Sequence, residues 1–238
     1  GSGLEITGGS ARVSGWIELD GTTGIGTSGT GELRLDTAKA KATYAGVPLS
    51  GQLSLQTKLR DLNFAERRFD ISGTELNLTG VCAGECAADD QAGWWAHMKL
   101  DQASLAPGRD DTVQASVQAQ LRDSRPLVLL FASRRGLPSW AQKLLTVQGV
   151  ASSARIAMGK SGFAVRELVG AAEQLELRAR LDFRPSGRSG QIYVHYKGLG
   201  LGMDLAGGER NLRFIKPLEW YEKGGRGGRA VPAPSPGR

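Results

Sequence analysis

The chain has 238 residues, with 30 Lys and Arg against 24 Asp and Glu for a formal charge of +6; at 23% charged and 40% hydrophobic residues it has globular composition, which excludes wholesale disorder. No stretch approaches the roughly 18 to 20 uncharged apolar residues that a membrane-spanning helix requires, residues 127–132 being the longest candidate. Gly is 34 of 238 without a collagen period, so glycine punctuates short segments instead.

The chain opens Gly1-Ser2-Gly3 without a basic, apolar, small-residue export signal, as expected of an exported protein that has lost its targeting segment. Alternating runs at 11–19, 31–36 and 38–44 read as strands. Leu53, Leu55, Thr57 and Leu59 then alternate with Ser54, Gln56, Lys58 and Arg60, the period of a strand with one apolar face. Further strands are expected at 69–72, 75–79 and 94–101. Cys82 and Cys86 flank Gly84, whose freedom lets two nearby sulfurs meet, so a local disulfide is expected; such bridges persist in periplasmic or extracellular space. Zinc needs about four ligands and only His97 and His195 remain to complete a set, so no metal is expected. Residues 82–93 form the one candidate seam in a single unit spanning 1–222.

Val113, Ala115, Val117, Ala119 and Leu121 alternate with polar residues over a longer run. Residues 127–132 read as a strand, and 138–145 as a helix of about two turns, with Pro138 in its first turn and Trp140, Leu144 and Leu145 on one face. Strands follow at 153–158 and 163–168. Leu175, Leu177, Ala179, Leu181 and Phe183 alternate with charged residues, 191–196 follows, Leu199, Leu201, Met203 and Leu205 alternate with glycine and Asp204, and 211–215 ends the series. From 223 to 238, Lys223, Arg226, Arg229 and Arg238 stand among Gly and Pro, as in a flexible basic tail.

Roughly fifteen strands joined by short turns make an all-β chain with an elongated, curved, mainly antiparallel sheet and one short helix. Its apolar face is covered by a second sheet, closed into a barrel, or left as a trough. Aromatics are only 6% of the chain, so a trough would be smooth and aliphatic, suited to acyl chains. Its expected lining is Leu53, Leu55, Leu59, Val113, Val117, Leu121, Leu175, Leu177, Leu181, Phe183, Leu199 and Leu201.

Little in the chain points to catalysis, and no catalytic residue or cofactor is expected. His97 and His195 fall on the outward positions of their strands and in no nucleophile motif. Asp89-Asp90 and Asp110-Asp111 read as solvated loop carboxylates. Gly198-Leu-Gly-Leu-Gly202 lacks the strand, turn and helix order of a phosphate loop. Arg134-Arg135 reads as a solvated turn, with an anionic headgroup as its alternative partner. Nucleic acid is not expected, because Trp94-Trp95 has Lys99 as its one neighbouring cation; polysaccharide would use the same tryptophan pair.

Two strand runs, Gly51-Gln-Leu-Ser-Leu-Gln-Thr-Lys-Leu59 and Leu175-Glu-Leu-Arg-Ala-Arg-Leu-Asp-Phe183, and the closing passage Gly190-Gln-Ile-Tyr-Val-His-Tyr-Lys-Gly-Leu-Gly-Leu-Gly-Met-Asp-Leu205, followed by 211–215 and Trp220-Tyr221, carry a family resemblance. Over residues 4–222 the chain resembles the C-terminal β-groove portion of AsmA-like and TamB-like bacterial envelope proteins. The resemblance implies a periplasmic protein tethered to the inner membrane, whose taco-shaped groove shields phospholipid tails between the two membranes, with envelope proteins as further partners. The chain departs from the pattern in lacking the anchoring helix and in being short, as a fragment or a small member would be. The alternative is a β-sandwich interaction module, its apolar faces packed on each other, serving as a structural component of a secretion or outer-membrane assembly machine.

Overall fold

A computed structural model describes residues 4–20, 28–107, 111–135, 142–143, 146–206 and 209–224. They form one antiparallel sheet of 14 strands: β1 (Leu4–Asp20), β2 (Ser28–Tyr44), β3 (Val47–Leu59), β4 (Asp61–Asn63), β5 (Arg68–Asp70), β6 (Glu75–Ala83), β7 (Trp95–Leu105), β8 (Asp111–Asp123), β9 (Gln148–Gly159), β10 (Gly162–Ala172), β11 (Leu175–Arg184), β12 (Gly187–Tyr196), β13 (Leu199–Ala206) and β14 (Glu209–Arg213). Among the described residues there are three short helices, α1 (Ala88–Gly93), α2 (Arg125–Arg135) and α3 (Pro217–Glu222).

Strands follow one another across the sheet in chain order, except that the small β4–β5 hairpin joins at one end of β7. This order keeps most strands beside the one just before them, the cheapest topology for antiparallel pairs, although α1 interrupts the connection from β6 to β7 and α2 that from β8 to β9. Ala45-Gly46 and Lys197-Gly198 are two-residue turns with positive φ at both positions, the form whose twist matches that of the flanking strands. The sheet curves without closing, and β1 and β14 are its two ends.

Bulges bend the strands where residues slip out of register, and side chains repair the ladder there. In β2 the slip lies between Asp36 and Ala40, and the Leu53 amide donates instead to the Thr37 hydroxyl at 2.8 Å. Similarly the Ala103 amide donates to Ser72 Oγ at 2.9 Å. The 82–93 insertion sits between two strands that pair directly, Thr79 opposite Trp95, and is tied down by Gln91, whose side-chain amide donates to Ser50 Oγ and the Gly80 carbonyl at 3.0 and 3.1 Å.

Several expectations are corrected. Residues 127–132 are helical, within α2, rather than a strand. Their apolar run has no period of its own, and Ser124-Arg125-Pro126 before it is a helix start: the Ser124 carbonyl accepts from the Val128 amide at 2.9 Å. The helix expected over 138–145 falls mostly outside the described residues; Gln142 and Lys143 within it are helical. The 31–36 and 38–44 strands are one strand bent at its bulge. No second sheet packs on the first among the described residues, so the sandwich arrangement is not formed. Arg226, Arg229 and Arg238 of the expected tail lie outside the described residues.

Candidate functional site

Directly paired residues on neighbouring strands point to the same face, so the register reveals whether separately recognised alternating runs share a surface. They do. One row of partners runs Val13, Leu35, Leu55, Leu76, Met98, Ala119, Ser152, Gly170, Leu177, Val194 and Leu201, from β1 to β13, with Ser152 its one polar member. A second runs Leu53, Leu78, Ala96, Leu121 and Val150. A third runs Leu62, Phe69, Leu105, Val113, Met158, Phe163 and Phe183, in which Phe163 and Phe183 stack with centroids 6.1 Å apart.

The remaining expected lining residues fall on the same surface. Leu59 is opposite Gly31, Val117 opposite Leu100, Leu181 opposite Val165, and Leu175 and Leu199 both opposite Tyr196. All twelve therefore lie on one face of one sheet. Leu121 is buried, ten are half-buried, and Leu199 at the rim is 77% exposed. Toward the first strand the face is open as well, with Val13 65% exposed. Ten strand spacings of about 4.8 Å make the first row roughly 48 Å long.

The signal for Leu76, Leu78 and Phe163, which sequence reasoning did not single out as lining, was present but short. Each stands in a run of four or five alternating residues that carries little weight until a neighbour's register supports it.

The opposite face is polar and bonded to itself. Gln56 donates to Glu32 at 2.8 Å, Arg34 to Asp36 at 2.6 Å, Ser54 to Asp36 at 2.7 Å, and His97 Nδ1 lies 2.7 Å from Asn77 Oδ1. Hydrogen bonds from Arg34 and Ser54 hold the Asp36 carboxyl below its ordinary pKa. His195 is on this face too, between Glu176 and Gly200. Here α3 packs: Trp220 covers Gly202, where any Cβ would meet its ring, and Tyr221 lies between Tyr193 and Arg180, with centroids 6.3 Å apart and the guanidinium 4.8 Å from its ring.

One end of the sheet is closed by a clamp. Trp94 is buried at the end of α1 and donates to the Asp123 carbonyl at 3.0 Å, so the Trp94-Trp95 pair is no stacking platform. Asp123, 1% exposed, accepts from the Arg125 amide and guanidinium at 3.0 and 3.1 Å. Burial raises its carboxyl pKa, but the side-chain and backbone hydrogen bonds and charge of Arg125 outweigh that and hold it below the ordinary value. The Cys82–Cys86 disulfide is formed beside this clamp, with Cα atoms 5.9 Å apart.

Among the described residues no group of three or more His, Cys, Asp or Glu is placed to hold a metal ion, and no helix is long and apolar enough to cross a membrane. The Arg134 and Arg135 side chains lie outside the described residues, as do those of Asp90 and Asp111 and the whole of Asp110. No protein family, curated protein or solved structure compared with the chain matches it.

Proposed function

We propose that the protein binds acyl chains of phospholipid or a similar lipid on the apolar face of its sheet, and that it does so in the periplasm, shielding or conducting those chains between the inner and outer membranes without catalysing a reaction. The observation that carries this reading is the predominantly apolar row from Val13 to Leu201, interrupted at Ser152 and Gly170 and uncovered by any second layer among the described residues. An open apolar surface of that extent marks a place where something else binds. At roughly 48 Å the row exceeds the ~30 Å hydrocarbon thickness of a bilayer, so a lipid's tails fit along it at full length. Each methylene removed from water contributes about 0.8 kcal/mol, and a lining without charges lets chains slide because no position holds them by a directional bond. The disulfide supports an oxidising compartment.

Purified protein is expected to carry lipid, read by organic extraction and mass spectrometry. Leu177, half-buried and ninth of the eleven residues in the row, is the residue to change. Leu177→Asp should shed most of the bound lipid while the far-UV circular dichroism stays unchanged. Absence of lipid from the wild-type protein, or unfolding of the variant as in a sealed core, overturns the proposal.

A further inference from the structure

The polar face carries a second feature, an open cavity of about 900 Å3 near the β4–β5 hairpin. Two rows make its floor: Ser104, Gln114 and Ala157 are successive cross-strand partners on β7, β8 and β9, and Gln102, Ser116 and Arg155 are successive partners beside them. Long side chains make its walls. Asp61 and Asp70 are direct cross-strand partners on one side, and Arg155 and Arg166 are direct cross-strand partners on the other.

Like charges placed directly opposite each other destabilise a sheet, and here an acidic pair and a basic pair line the same cavity. They do not neutralise one another. Asp70, Ser104, Gln114 and Ala157 are successive partners from β5 to β9, three strand spacings or roughly 14 Å, Arg155 lies two residues further along β9 and Arg166 one strand beyond it, and no ion pair joins the two walls among the described residues. Local partners leave most of this charge in place. Arg155 reaches Glu167 at 3.3 Å in an exposed pair, of a kind that contributes little. Arg166 has no ion pair among the described residues, and Arg68, which also lines the acidic side, makes none with Asp61 or Asp70.

From this arrangement we infer that the cavity is a binding site for an extended, dipolar peptide segment, with a cationic side chain seated at Asp61 and Asp70 and a carboxylate at Arg155 and Arg166. Four residue steps of extended chain span about 13 Å, and the reach of the lysine, aspartate and arginine side chains covers the rest of the distance between the two walls. Hydroxyl and amide side chains at Ser104, Ser116 and Gln102 offer donors and acceptors to a peptide backbone. Among the described residues no aromatic ring lines the cavity to stack a sugar. The site is on the face opposite the aliphatic rows and does not depend on lipid binding.

The test uses the whole protein and the probe acetyl-Lys-Ser-Ser-Ser-Asp-amide, titrated by calorimetry at low and high salt. This probe is expected to bind at least tenfold more tightly than the Lys-Ser-Ser-Ser-Lys and Asp-Ser-Ser-Ser-Asp versions, and more weakly as salt rises. Arg155→Gln with Arg166→Gln should lower its affinity at least tenfold, and Asp61→Asn with Asp70→Asn likewise. Because each double substitution relieves a like-charge pair, the urea midpoint should rise in both, which a structural role for these residues would not produce. Leu177→Asp should leave the affinity unchanged, so failure of the lipid proposal is distinguishable from failure of this one. Equal binding of the all-acidic probe, competition by glycerophosphoethanolamine at equal concentration, or no binding of any peptide overturns the inference.

Discussion

Asp123 carries the clearest single-residue energetics in the chain. Its carboxylate is almost fully enclosed and takes three hydrogen bonds from Arg125, so its folded-state pKa is depressed. A depressed carboxyl pKa contributes stability that is complete above the unfolded value of about 3.9 and is lost as pH falls through the lower folded value. Stability measured by urea denaturation is therefore expected to fall below pH 4 in the wild type, with a shallower fall in Asp123→Asn. Asp123→Ala, which strands the Arg125 donors, should cost about 2 kcal/mol at pH 7. The neighbouring disulfide closes a small loop, with sequence separation 4. On the chain-entropy account its reduction should cost about 2 kcal/mol, read as a lower urea midpoint with and without dithiothreitol.

At the scale of elements, the helices work as fasteners on a sheet that buries little by itself. α3 begins with Pro217, whose fixed φ suits a first helical position, and its Glu219 bonds Lys223 one turn on at 2.8 Å. It is held mainly by Tyr221, 4% exposed between Tyr193 and Arg180; burial raises the Tyr221 hydroxyl pKa. Tyr221→Ala should cost about 3 kcal/mol and, in hydrogen exchange, deprotect β12 and β13 before the rest of the sheet. Equal exchange throughout would show that α3 is not what secures this end. Gly190 in β12 illustrates how tightly strands pass: it has φ +147°, and a Cβ there would collide with the Arg180 carbonyl oxygen.

For the molecule as a whole, the single layer decides the energetics. Among the described residues only twelve apolar side chains are buried, and five of them are alanines: Ala83, Ala103, Ala106, Ala115 and Ala179. Stability therefore rests on strand-to-strand hydrogen bonds and neighbour contacts along each row rather than on a three-dimensional core. Denaturant sensitivity scales with the surface that unfolding exposes. The urea m-value is accordingly expected to lie below that of compact proteins of similar length, and bound lipid should raise it by adding covered surface. An m-value equal to theirs would mean that the apolar face is covered in solution.

Alternation in the amino-acid sequence was enough to determine the class of fold, the antiparallel order and the inward or outward sense of each long run, because a period of two is a local property of a strand. Leu53 to Leu59, Val113 to Leu121 and Leu175 to Phe183 were each legible that way. Where the apolar run lacked a period, at 127–132, local pattern did not separate strand from helix, and Pro126 with Ser124 decided it. Only the tertiary structure decided that these runs share one face and that no layer of the described residues lies over it, because register between strands depends on turns, bulges and pairing that no single strand encodes. The opposed Asp61–Asp70 and Arg155–Arg166 pairs belong to the same category: residues far apart in the chain meet across a cavity only when every strand between them is in place.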